Sequence, residues 1–122
     1  MEDFVPYELA VKLKEKGFNE DSWFHYDTDG DIVTRGYRLN HPDDVPAWTL
    51  QMAMKWLRKV KKIYIVIAVN PALSTKDKIA YYYQIYFNST DVGSEYYGSK
   101  LCYAQWEECA IDSIKHVLNN LI

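Results

Sequence analysis

An α+β fold is expected from the 122-residue sequence: three helices packed with a three- or four-stranded antiparallel sheet, in the order α-β-β-α-β-β-α. Three segments carry apolar residues at helical spacing. Between them lie pairs of β-branched and aromatic runs, joined by loops that suit antiparallel pairing. Helices and antiparallel hairpins mixed in this way define the class.

The first helix is bounded by Pro6, which suits a first helical position because it has no N–H to satisfy, and by Gly17. Leu9, Ala10 and Leu13 line one face, and Lys12, Glu15 and Lys16 face water. Gly17 is the stop, since glycine adopts the left-handed conformation at little cost, and Phe18 falls where it can pack back on Leu13. A hairpin follows. Residues 23–27 and 32–38 are short β-prone runs around Thr28-Asp29-Gly30, and Asp-Gly between such runs is a strong turn signal. Residues 40–46 contain Pro42 and Pro46 and are expected to be irregular.

Thr49 is placed to cap a second helix running to about Val60, with Leu50, Ala53, Met54, Leu57 and Val60 on its apolar side. The uninterrupted run from Ile63 to Val69 reads as a central strand. After a loop over 70–77, residues 79–87 alternate: Ile79, Tyr81, Tyr83, Ile85 and Phe87 share one face, and Ala80, Tyr82, Gln84 and Tyr86 the other. Residues 88–100 are polar, with a short edge strand expected at Tyr96-Tyr97 or at 101–103. The last helix covers about 104–120 with a stripe of Trp106, Cys109, Ala110, Ile114, Val117, Leu118 and Leu121. No repeat or linker breaks the chain, so one domain spanning 1–122 is expected.

The three helical motifs carry a likeness. Val5-Pro6-Tyr7-Glu8-Leu9-Ala10 leading to Leu13-Lys14-Glu15-Lys16-Gly17-Phe18, the run Thr49-Leu50-Gln51-Met52-Ala53-Met54-Lys55-Trp56-Leu57-Arg58, and Trp106-Glu107-Glu108-Cys109-Ala110 resemble a loose group of short proteins from Bacteroidetes genomes and their phages or mobile elements. The likeness covers about a third of the chain. The group has no assigned activity, so the resemblance implies origin and a compact fold but no site residues. Cys109 stands where the group usually has Ala.

Composition narrows the function classes. The net charge of −3 exerts no global pull toward nucleic acid or anionic membrane. It is unevenly spread: residues 1–31 hold nine acids and three lysines, a net of −6, and residues 32–62 hold seven bases and two acids, a net of +5. Two cysteines are too few for a disulfide framework and are read as buried free thiols. The N-terminal segment lacks the apolar stretch of a secretory signal, which points to the cytoplasm.

Four clusters invite a chemical reading. Asp27-Thr28-Asp29-Gly30-Asp31 resembles a calcium loop, but Gly30 is two positions early and Arg38 stands where the bidentate Glu belongs, so a hairpin turn is expected and no metal. None of His25, His41 and His116 has a second His or Cys at metal-ligand spacing. His25 and Asp27 would face the same side of one strand as a conceivable acid–base pair, yet no nucleophile or phosphate-loop motif accompanies them. We therefore expect surface or half-buried histidines, no enzymatic activity and no cofactor. Lys55, Arg58, Lys59, Lys61 and Lys62, interleaved with Trp56, could contact phosphates and stack a base, against the plainer reading of a solvated helix face near a C-terminus that favours cations. Finally, if the helices cover the face of Ile63, Ile65 and Ile67, then Tyr64, Tyr82 and Tyr86 stand on the far side of the sheet. Tyrosine suits interfaces because its ring is large and stiff and its hydroxyl tolerates water. The leading expectation is a small non-enzymatic binding protein that engages a protein partner, or itself, through this aromatic face. The alternative is a nucleic-acid-binding accessory module using the basic 55–62 segment.

Overall fold

The computed structural model describes residues 3–20, 22–27, 29–34, 45–89, 93–98 and 102–122, with the backbone alone at 88–89 and 93–97. Three helices and six strands are found among them: α1 (Tyr7–Glu15), β1 (Phe24–Tyr26), β2 (Ile32–Thr34), β3 (Val45–Pro46), α2 (Leu50–Val60), β4 (Ile63–Val69), β5 (Tyr81–Ser89), β6 (Gly93–Gly98) and α3 (Trp106–Asn120). The strands form two antiparallel sheets, ordered β2-β1-β3 and β4-β5-β6. The α+β class holds. The single expected sheet is replaced by two.

The local signals act as their chemistry dictates. Gly17 takes a left-handed φ of 106°. Phe18 N–H donates to the Leu13 carbonyl (3.0 Å) and Gly17 N–H to that of Lys14 (3.1 Å), the paired bonds of a Schellman stop, and Leu13 and Phe18 are both fully buried. Pro6 sits one residue earlier than expected, as the N-cap of α1. The Thr49 hydroxyl accepts from Met52 N–H (3.1 Å) and caps α2. At the hairpin tip Gly30 is left-handed (φ 84°), and Asp27 N–H donates to the Asp31 carbonyl at 2.8 Å.

Several boundaries differ. Val45–Pro46 forms a strand where irregular chain was expected. It is an edge strand of its sheet, where a residue lacking N–H is tolerated, and it pairs His25 with Pro46 and Tyr26 with Val45. The expected strand at 79–87 begins at Tyr81 and runs on to Ser89. Of the two expected edge segments, Tyr96-Tyr97 lies within β6, while Tyr103 makes an isolated bridge with Tyr81. Residues 35–38 of the expected second strand, and His41, lie outside the described residues.

α2 packs on β4, and α3 on both β4 and β5. One face of the β4-β5-β6 sheet is thus roofed by helices, with Ile63, Tyr83 and Ile85 buried beneath them. α1 packs on α3 and β3, joining the small sheet to the same core. Phe18 lies at the junction, stacked on Trp48 (centroids 4.3 Å apart, planes 9° apart) and on Trp56 (5.1 Å, 12°). The Trp48 indole N–H donates to the Glu20 carbonyl at 2.9 Å, so this large ring is buried with its polar atom satisfied.

Candidate interaction surface

Strand alternation decides which side chains the helices leave uncovered. In the β4–β5 register Tyr64 stands opposite Tyr86, Val66 opposite Gln84, and Ala68 opposite Tyr82. These six share the face turned away from α2 and α3. Tyr64 is 43% exposed and Val66 42%, while Ala68, Tyr82, Gln84 and Tyr86 are half-buried. Tyr64 and Tyr86 are direct cross-strand neighbours. Tyr82 is four residues from Tyr86, roughly 13 Å along the strand. The Tyr86 hydroxyl donates to Gln84 Oε1 at 3.4 Å. Among the described residues no element packs on this face closely enough to cover it. The surface pairs Val66 with the polar Gln84 at its centre and carries phenol rings toward its ends.

The basic segment divides differently from its expected composition. Lys55, Arg58 and Lys59 on α2, and Lys61 and Lys62 after it, are all exposed. Trp56 is not among them. Its ring is buried against Phe18, and the Lys61 ammonium lies 5.5 Å from its centroid. The aromatic half of a base-stacking platform is therefore absent from this surface, because Trp56 belongs to the apolar stripe that Val60 was expected to complete. Val60 is 57% exposed instead.

The turn carboxylates Asp27, Asp29 and Asp31 bring an oxygen each within 4.8 Å of one another. Asp27 Oδ1 accepts from Asp29 N–H and Asp31 N–H, both at 2.9 Å, so this carboxylate organises the turn itself. The His25 ring is fully buried in the core rather than at or near the surface, and Asp27 is held by its turn. An acid–base pair built on them would have no approach for a substrate through His25. His116 is half-buried, and burial pulls its pKa below the usual range, opposed by the charge of Asp112.

In the C-terminal region Asp112 acts on several titratable side chains. The Tyr103 hydroxyl donates to Asp112 Oδ2. Burial, that hydrogen bond and the carboxylate charge together push the Tyr103 phenol well above its ordinary range. Cys109 is buried, and burial with the Asp112 charge pushes its thiol up to about 12. Cys102, expected to be buried, is exposed.

One feature has no periodic signature in the sequence: a shallow groove of about 280 Å³ whose walls include Phe4, Trp23, Phe24 and Met52. Phe4 and Phe24 meet edge to face at 5.2 Å, and Trp23 is 59% exposed beside them. Its hydroxyls are engaged locally: Ser22 accepts from Phe24 N–H and donates to the Ala47 carbonyl, and Thr49 caps α2. The groove offers apolar contact and little else.

No helix among the described residues is long and apolar enough to cross a membrane. No family model matches the chain, and neither the curated proteins nor the solved structures contain a match.

Proposed function

We infer that this chain is a small non-enzymatic binding protein, cytoplasmic and of phage or mobile-element kinship, that takes a protein partner on the open face of its β4-β5-β6 sheet. One observation carries the reading: helices roof one face, while the opposite face leaves Tyr64 and Val66 more than two-fifths exposed, with Tyr82 and Tyr86 beside them. Rigid aromatic side chains with wettable tips lose little entropy on binding and supply much of the energy at protein interfaces. The kinship is supported by the helical motifs quoted above.

The test is comparative capture. Wild-type protein, the triple variant Tyr64→Ala/Tyr82→Ala/Tyr86→Ala and the charge-reversed variant Lys55→Glu/Arg58→Glu/Lys59→Glu/Lys62→Glu are immobilised side by side. A partner retained by wild type and by the charge variant, and lost by the triple variant, supports the reading. Partners retained undiminished by the triple variant overturn it. Nucleic acid lost only from the charge variant, with retention falling steeply as salt rises, would transfer the function to the basic segment.

A further inference from the structure

The β4-β5-β6 sheet ends on β4, and what that edge presents can be read from the ladder. Asn70 N–H donates to the Ala80 carbonyl at 2.7 Å, one step beyond the Val69↔Tyr81 pair. In an antiparallel ladder bonded pairs alternate with non-bonded ones. Asn70 therefore directs its N–H, and Ala68, Val66 and Tyr64 direct both backbone groups, toward β5. Ile63, Ile65, Ile67 and Val69 direct theirs outward, and among the described residues no strand pairs with them.

We propose that this edge pairs with the β4 edge of a second copy of the chain, antiparallel about a two-fold axis at Val66, joining two three-stranded sheets into one of six strands. The occupant follows from the edge itself. A two-fold interface requires a surface complementary to itself. Placing Val66 opposite Val66 brings Ile65 opposite Ile67 and Ile63 opposite Val69 of the second copy. All four outward residues then fall in bonded pairs, giving about eight backbone hydrogen bonds. Shifting the register by two residues in either direction leaves one of the four without a partner. Charge selects the same arrangement. β4 contains no charged residue, and Lys61 and Lys62 adjoin only its N-terminal end. Antiparallel pairing sets the two Lys62 residues roughly 26 Å apart, whereas parallel pairing would set them side by side. The edge also lacks the usual guards against strand addition: it is seven residues long, without proline or an inward charge. Side chains along it have apolar surface to contribute, since Val66 is 42% exposed and Val69 47%.

The backbone edge and the open face share the Val66 side chain, but Tyr82 and Tyr86 belong to the face alone, so variants there let the two fail separately. Sedimentation of the full chain over a micromolar to millimolar series should show a monomer–dimer equilibrium. Val66→Lys sets two ammonium groups across the axis on a side chain that folding leaves exposed, and should raise the dimer Kd by about a hundredfold or more. In a Cys102→Ser background, Val66→Cys should cross-link on oxidation, because residues facing each other across the axis lie within disulfide reach. Tyr64→Cys should not, its two copies being about 13 Å apart along the strand. Amides of Ile63, Ile65, Ile67 and Val69 should gain exchange protection as concentration rises. A monomer at every concentration, a dimer indifferent to Val66→Lys, equal cross-linking at positions 64 and 66, or concentration-independent protection of those four amides would each overturn the dimer. The variant Tyr82→Ala/Tyr86→Ala leaves β4 untouched. Its dimerisation should equal wild type whether or not the open face binds a partner.

Discussion

The Trp56 ring lies nearly parallel to that of Phe18, 5.1 Å away, on the inner side of α2. The contact ties the residue just past the α1 stop to the middle of α2, and it turns the tryptophan inward, away from the exposed Lys55 and Lys59, with Lys61 alone of the neighbouring lysines reaching its ring. Trp56→Ala is consequently a core deletion. It should destabilise the fold by about 3 kcal/mol or more, the usual cost of removing a large buried aromatic ring. Denaturant melts of wild type and variant measure this. If Trp56 instead served an oligonucleotide at the surface, its loss would leave the melt nearly unchanged and weaken binding alone.

Lys62 carries the only left-handed backbone among the described non-glycine residues, with φ 59°. It follows the C-cap of α2 and turns the chain directly into β4. A residue with a Cβ gives up roughly 1 kcal/mol in this conformation, which glycine adopts freely. Lys62→Gly should therefore stabilise the protein, by up to about 1 kcal/mol after the greater flexibility of the unfolded glycine chain is set against the gain. A shift of the thermal midpoint upward checks it. A downward shift would mean that the Lys62 side chain contributes more than its backbone costs.

How much of this was legible in the sequence depended on how local each signal was. Gly17, Thr49 and Gly30 act within a few residues of themselves, and all three do in the structure what their chemistry implies. The two-residue period of 79–87 correctly placed Tyr82 and Tyr86 on one face, with Tyr64 of the neighbouring strand. What failed depended on distant contacts. Pro46 enters a sheet only because β1 lies beside it and the proline is on an edge. Trp56 and Val60 exchanged environments because Phe18 and Trp48 arrive from elsewhere in the chain. The division into two sheets has no local cause at all.

Alkaline pH should unfold the protein through two tyrosines. Tyr103 donates to Asp112, and Tyr26 donates to the Val5 carbonyl. Burial raises both phenols above their ordinary value of 10.0, for Tyr103 with the added effect of its hydrogen bond to Asp112 and that group's charge. The sign is that of a raised folded-state pKa. The contribution is whole below pH 10, where the phenol is protonated in both states. It is lost as pH climbs from 10 through the folded value, because the unfolded chain releases the proton first. Stability measured by denaturant at successive pH values should fall above pH 10. Replacing both residues in Tyr26→Phe/Tyr103→Phe should lower stability at neutral pH and flatten that alkaline fall. An alkaline limb as steep in the double variant as in wild type would assign the transition to other groups.

The two thiols should react in different regimes. Cys102 is exposed, whereas Cys109 is buried on the inner face of α3 with its thiol pushed up to about 12 by burial and the nearby Asp112 charge. Reaction requires both access and the thiolate. Under native conditions near neutral pH a disulfide reagent should therefore titrate one equivalent quickly, at Cys102. The second should appear only with global unfolding, at the rate at which the whole core opens. Cys102→Ser should abolish the fast phase, and Cys109→Ala the slow one. Two fast equivalents in folded wild type would show that α3 opens locally, exposing its inner face without loss of the remaining core.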